Sequence, residues 1–218
     1  AGLAFGWGGG EPLMITGPSS SGKTLLASVL LGLVPCSGDG ARVTLPGAAP
    51  CGPAACAPHL PLSLLFAAPQ HVYLQRGTLG SQVCYPKEYL PEGGGEEQML
   101  EALRRAGLEH VLAREAEGWR AMRVWEDILS GGEQQRLALA RVMFHRPRFA
   151  ILDDCTSMVQ SDAEVGLYAT LMQDFGVTPL CMSQRMFMPD LFLQELRLGL
   201  ATEKGWAWGS TLPSGQGK

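Results

Sequence analysis

No charge of one sign dominates this chain: 17 Lys and Arg stand against 21 Asp and Glu, mixed along 218 residues for a formal net charge of −4. That balance offers no electrostatic footprint for nucleic acid or an anionic membrane surface, so no nucleic-acid partner is expected. No apolar run approaches the roughly 18 to 20 residues of a membrane-spanning helix, and no basic N-terminal region precedes an apolar one. Internal repeats are missing, and no sustained heptads announce a coiled coil. The six cysteines (Cys36, Cys51, Cys56, Cys84, Cys155 and Cys181) are scattered in a chain too large to need stapling, and read as reduced thiols of a cytosolic compartment. Cys51, Cys56 and His59 form the one local cluster; lacking a second ligand pair, it makes a poor metal corner.

What is present suits one sizeable α/β domain, since 46% hydrophobic residues can furnish a real core at this length. An apolar run at residues 13–16, a Gly/Ser-rich turn at 17–22 and a helical pattern at 23–33 give the order strand, loop, helix. A second β-like stretch at 42–45 leads into residues 46–61, an Ala/Pro/Gly tract expected to be a surface insertion without fixed structure. Residues 62–68 read as a buried strand. Residues 70–128 are polar and helix-favouring, with helices expected at 96–106 and 108–115, and form a helical subdomain. Thereafter the pattern gives a helix at 131–144 stopped by Pro147, a strand at 149–152, a helix at 165–175 and a strand at 178–182. The Trp-containing tail after Leu191 reads as an edge strand or hairpin. The core is thus expected in residues 1–69 and 129–218.

Residues Gly17-Pro18-Ser19-Ser20-Ser21-Gly22-Lys23-Thr24 fit G-x-x-x-x-G-K-[ST] and sit between an apolar strand and a helix, where that motif belongs. Amides in a glycine-permitted turn, added to a helix N-terminus, make a concave anion site. Lys23 would reach the β- and γ-phosphates of a nucleotide, and Thr24 would place its hydroxyl on Mg2+. A chance Gly/Ser turn capping a helix is the bland alternative. The strand 149–152 runs into Asp153 and Asp154 at its carboxyl end, where α/β sheets place ligands. There Asp153 would hold Mg2+ and Asp154 would polarise the attacking water.

Between those motifs lies Leu129-Ser130-Gly131-Gly132-Glu133-Gln134-Gln135-Arg136. Ser130 is a natural N-cap, Glu133 completes a capping box, and Gly131 and Gly132 let amides approach an anion. The octapeptide resembles the LSGGQ-type signature of the ABC (ATP-binding cassette) superfamily. That resemblance implies a P-loop NTPase core of ABC type, an α/β fold with a helical subdomain and an antiparallel β edge. It implies ATP and Mg2+ as ligands, and a signature helix, Ser130 to Glu133, that covers the γ-phosphate bound by a second ABC domain. Gln70 resembles the Q-loop glutamine, contributing to both metal binding and catalysis, and Ser157 to Gln160 occupy the D-loop. The segments Gly77-Thr78-Leu79-Gly80-Ser81-Gln82-Val83-Cys84-Tyr85-Pro86 and Trp125-Glu126-Asp127-Ile128 look like subfamily D, the peroxisomal-type half transporters and their lysosomal and bacterial relatives. Gly80 stands where those proteins usually have Arg, and Val72 where they often have Pro.

Two catalytic positions depart from the family. Asp154 replaces the usual Glu, and Gln184, in Met182-Ser183-Gln184-Arg185, stands where a histidine contacts the γ-phosphate. A carboxylate one methylene shorter sits back by roughly 1 Å, a misplacement on the order of 100-fold in rate. Glutamine can donate an amide hydrogen bond to phosphate but carries no proton. These changes imply nucleotide binding with weakened hydrolysis. Trp7 is weighed both as the aromatic residue that stacks adenine and as a residue packed in a β-turn. The resemblance further implies a transmembrane domain in the same full-length polypeptide and a place on the cytosolic face of a membrane, peroxisomal or another organellar one. Two rival functions remain, a soluble ABC ATPase and a non-hydrolysing regulatory partner.

Overall fold

The computed structural model describes residues 2–8, 10–183, 191–202 and 204–210. Its frame is a six-stranded sheet in the order β2 (Leu65–Ala68), β5 (Phe149–Asp153), β6 (Thr178–Met182), β1 (Leu13–Thr16), β7 (Gln194–Leu198) and β8 (Trp206–Ser210). The first five strands run parallel, and β8 closes the edge antiparallel to β7. Strands buried on both faces read as continuous apolar runs. β1 is such a strand: Leu13 and Ile15 enter one core with Leu180, Ile151 and Leu196, while Met14 enters the other with Leu152 and Cys181. A pleat turns successive side chains to opposite faces, so one short run serves both cores.

Helix α1 (Lys23–Leu30) packs Ala27 into the first core. It is shorter than the pattern at 23–33 suggests. Gly32, at φ 73°, ends it, and a Cβ there would fall 2.1 Å from the Ala57 carbonyl oxygen. That contact seats part of the Ala/Pro/Gly tract on the end of α1. Residues 46–61, expected to have no fixed structure, indeed carry no helix or strand, yet Ala57 is buried and Cys51 forms an isolated bridge with Val43. Among the described residues the β-like stretch at 42–45 is reduced to that bridge.

The other face is covered by α6 (Gly131–His145), α7 (Ser161–Gln173) and the helical region. The latter comprises α2 (Leu79–Cys84), α3 (Glu96–Arg105), α4 (Glu109–Ala113) and α5 (Trp125–Ile128). α6 leaves its helical path at Arg146 with φ 46°, just before Pro147. A two-stranded ribbon, β3 (Gly77–Thr78) with β4 (Met122–Arg123), was not anticipated, being too short for a period-2 pattern. It brings together the two subfamily-like segments, as Trp125 Nε1 donates to Gly77 O at 2.9 Å. Gly80 is crowded by the Tyr89 ring, whose atoms lie 2.7 to 2.8 Å from where a Cβ would sit, so Tyr89 fills the space a larger residue at this position needs.

Trp125 is 1% exposed and anchors this region by both packing and hydrogen bonding. Trp125→Ala is expected to destabilise the domain by about 3–5 kcal/mol in urea unfolding, with the loss of a large buried ring setting the magnitude.

Candidate functional site

Because β1, β2, β5 and β6 run parallel, their carboxyl ends share one edge of the sheet, the position where such folds bind ligands. After β1 the chain turns at Gly17, φ 148°, where a Cβ would lie 2.6 Å from Leu198 O and 2.8 Å from Ser21 Oγ. Ser20 and Gly22 are also left-handed, at φ 66° and 96°. This curled backbone delivers the chain to α1, whose N-cap Gly22 has no side chain to satisfy the first amides. Lys23 is 8% exposed, and its Nζ donates to Gly17 O at 2.7 Å and Pro18 O at 2.9 Å. A buried ammonium inside a loop that leads into a helix N-terminus makes the concavity electropositive. Ser21 Oγ is buried without a partner, a further donor in the same loop, while Thr24 is exposed at the loop's mouth. The donor set fits polyphosphate.

Asp153 ends β5, and Asp154 follows it in the left-handed region at φ 48°, its amide donating to Met182 O at 2.8 Å. Gln70, two residues beyond β2, reaches across to donate from Nε2 to Asp154 Oδ2 at 3.3 Å. The fold thus joins two of the expected catalytic residues through a direct contact. Beside them, the Ser183 amide donates to Ile15 O at 3.1 Å, tying the end of β6 to β1. Gln184 and Arg185 lie outside the described residues. Among the described residues no three His, Cys, Asp or Glu side chains cluster to hold a metal ion. A hard cation at the strand ends would instead draw on Asp153 and on uncharged oxygens such as those of Thr24 and Gln70, with phosphate completing its shell.

The signature residues open α6. Ser130 Oγ accepts from the Glu133 amide at 3.3 Å, and Glu133 Oε2 accepts from the Ser130 amide at 2.8 Å and hydroxyl at 2.7 Å, the expected capping box. Glu133 also meets His110 Nε2 at 2.8 Å and Arg114 at 3.9 Å. Ser130, Gly132, Glu133, Arg136, Met158 and Gln160 line a cleft of about 420 Å³. Gln135, which the sequence reading quoted only as part of the signature run, clamps the D-loop: its Nε2 donates to Ser157 Oγ at 2.8 Å, and its Oε1 accepts from the Met158 amide at 2.7 Å. Arg141 was passed over entirely. It is buried and donates to Gln82 O at 2.7 Å and Tyr73 O at 2.8 Å, fastening α6 to the segment after Gln70. A charged residue in an otherwise apolar helix face was the signal available. α1 and α6 pack on opposite faces of the sheet. Trp7 sits edge-on against Phe149, ring centroids 4.8 Å apart, on a cleft of about 1110 Å³ that also reaches Ser21 and Gly22.

Burial opposes ionisation of Glu133, but the hydrogen bonds from His110 and Ser130 and the charge of Arg114 outweigh it and hold the carboxyl at about 2. With the folded value depressed, the stabilisation from this cap is complete above about 4.5 and fades only as pH falls towards 2. The Glu133 side-chain carboxyl should therefore titrate near 2 by carbon NMR, and His110→Ala should move that midpoint upwards.

Comparison with known proteins agrees with this geometry. A family model described as ABC transporter matches residues 2–157. The mouse ATP-binding cassette sub-family D member 3 is 39% identical over 186 residues, covering 84% of this chain and 26% of its own length. The human lysosomal cobalamin transporter is 35% identical over 198 residues, covering 87% of this chain and 30% of its own. This chain therefore spans less than a third of either relative. A bacterial Atm1-family ABC exporter, solved with ATP bound, shares the fold with a TM-score of 0.68 at 22% identity, over 93% of this chain and 34% of that one. With its phosphate-type loop, acidic strand end and capped signature helix in the family's order, the chain belongs to the ABC transporter family as a nucleotide-binding domain, with sub-family D among its relatives.

Proposed function

We propose that this chain is an ATP-driven motor domain of a membrane transporter, that it closes face to face with a second ABC domain around ATP and Mg2+, and that its own hydrolytic site is weak. The observation that carries the reading is the loop from Gly17 to Thr24, with Lys23 buried inside it and Asp154 held beside it by Gln70. Lys23 would exchange its two carbonyl partners for β- and γ-phosphate oxygens, a charge-assisted replacement. Loop amides and the start of α1 would hold the remaining charge. Mg2+, when bound through Thr24, Asp153 and Gln70, supplies charge neutralisation of the phosphoryl group.

Asp154 would accept a proton from the attacking water, and Gln184 would donate its amide to the γ-phosphate. Neither matches the longer carboxylate and the imidazole that the family uses, which supports slow turnover. Ser130, Gly131, Gly132 and Glu133, at the start of α6 and beside a cleft, suit coverage of a nucleotide held by the partner domain. The capping box keeps that helix start pre-formed. The signature being intact while Asp154 and Gln184 depart supports an asymmetric pair with one strong and one weak composite site. The same reading places a transmembrane domain in the full-length polypeptide and this chain on the cytosolic side of a peroxisomal or other organellar membrane; the name of one relative, a lysosomal cobalamin transporter, supports an organellar membrane. The substitutions also favour a second reading, in which the chain binds nucleotide as a regulatory partner without hydrolysing it.

Lys23→Ala should abolish saturable Mg-ATP binding, read by titration with labelled nucleotide; unchanged uptake would overturn the nucleotide site itself. Asp154→Glu with Gln184→His should raise turnover on the order of 100-fold. Equal rates for the double variant and the unmodified chain would remove the weak-site reading, and turnover absent from both would favour the regulatory one.

A further inference from the structure

The Ala/Pro/Gly tract carries thiols that nucleotide binding does not use. Its backbone folds back on the segment following α1: the Cys36 amide donates to Ala55 O at 3.3 Å, and the Ala54 amide donates to Cys36 O at 2.8 Å. Cys51 exchanges both backbone hydrogen bonds with Val43, at 3.1 and 2.9 Å. Between these ties the Cys36 thiol is 8% exposed and donates to the carbonyl of Gly52, next to Cys51, at 3.1 Å. A thiol fifteen residues away in sequence is thereby brought against the backbone next to Cys51. The partner that the sequence pattern pointed to for Cys51 was Cys56 with His59; the fold supplies Cys36 instead.

We propose that Cys36 and Cys51 form a reversible disulfide, a modification site whose oxidant is a low-molecular-weight disulfide. The half-exposed Cys51 thiolate attacks one sulfur of that oxidant, breaks its S–S bond and releases one thiol. The Cys36 thiolate then attacks the Cys51 sulfur of the mixed disulfide and releases the second thiol. Two protein thiols are oxidised to one S–S bond, and the small disulfide is reduced to two thiols. Cys36 suits the second step. Burial, then the neighbouring Cys51 thiol, raise its pKa, so it is a poor first attacker, but its sulfur is held against the backbone beside Cys51. The Cys36 thiol lies 3.1 Å from the Gly52 carbonyl beside Cys51 and 3.8 Å from the Ala55 carbonyl beside the exposed Cys56, which makes Cys51 the nearer partner. The other cysteines, Cys84, Cys155 and Cys181, are buried and have raised pKa values, so the oxidant has little access to them.

The link would lie on the wall of the large cleft, which Cys36 shares with Ser21 and Gly22. Oxidation would therefore fasten the insertion beside the phosphate-binding loop. The claim about the thiols is independent of whether that loop hydrolyses ATP.

Trypsin separates the two cysteines, because cleavage after Lys23, Arg42 and Arg76 places Cys36 in residues 24–42 and Cys51 with Cys56 in residues 43–76. After treatment of the folded chain with glutathione disulfide and alkylation of the remaining thiols, mass spectrometry should find these two peptides linked, and dithiothreitol should part them. Cys51→Ser should lower the yield at least about tenfold, and Cys56→Ser should leave it unchanged. The preference for Cys51 should vanish in concentrated urea. Absence of the linked peptides, their persistence in Cys51→Ser, or the same preference in urea would each overturn the proposal.

Discussion

The turn at Gly17 is the constraint on which the site depends. β1 lies between β6 and β7, so its end has no lateral freedom, and the Leu198 carbonyl and Ser21 hydroxyl occupy the space where any side chain at position 17 would go. The backbone can therefore pass only as glycine, and it emerges already curled towards α1. Lys23 follows at the first helical position, with its ammonium inside the curl. Geometry of this kind costs nothing further at the moment of binding, because the strained residues are held by the sheet rather than by ligand.

A second layer of polar contacts binds the moving parts of the family's chemistry to the same frame. Gln70 is fastened to Asp154, Gln135 to the loop at Ser157 and Met158, and Arg141 to the backbone of Tyr73 and Gln82. Each spans two elements that are far apart in sequence. The bonds of Gln135 and Arg141 are buried or half-buried and expensive to leave unmade, whereas the Gln70 bond is exposed. The loop after β2, the signature helix and the end of β5 are thus joined by direct contacts, the connection that any coupling between them would need. Such coupling would be the physical basis on which nucleotide chemistry is felt at a distant surface.

The helical region shows how the chain's individuality is built onto this frame. Trp125 reaches Gly77 and Tyr89 covers Gly80, so substitution at one of these positions is absorbed by a neighbour within the same small core. The insertion before β2 is different in kind. It contributes few apolar side chains, and its placement rests on Ala57 against Gly32 and on backbone bonds around Cys36 and Cys51.

Features carried by contiguous residues were legible without any structure. The apolar runs of β1, β5 and β6, the anion loop between β1 and α1, the paired carboxylates after β5 and the Ser130–Glu133 cap all depend on local periodicity or fixed spacing, and each appears where it was expected. Where the reading fell short, the deciding contact came from elsewhere in the chain. β3 exists only because β4 pairs with it, and the 42–45 stretch keeps a single bridge, to Cys51. The clamps by Gln135 and Arg141 and the meeting of Cys36 with Cys51 belong to the same class. Short-range chemistry is written in neighbouring residues, so the sequence by itself determined the loop, the carboxylates and the cap; partnerships across dozens of residues cost chain entropy that only the packed core offsets, so tertiary structure alone decided them.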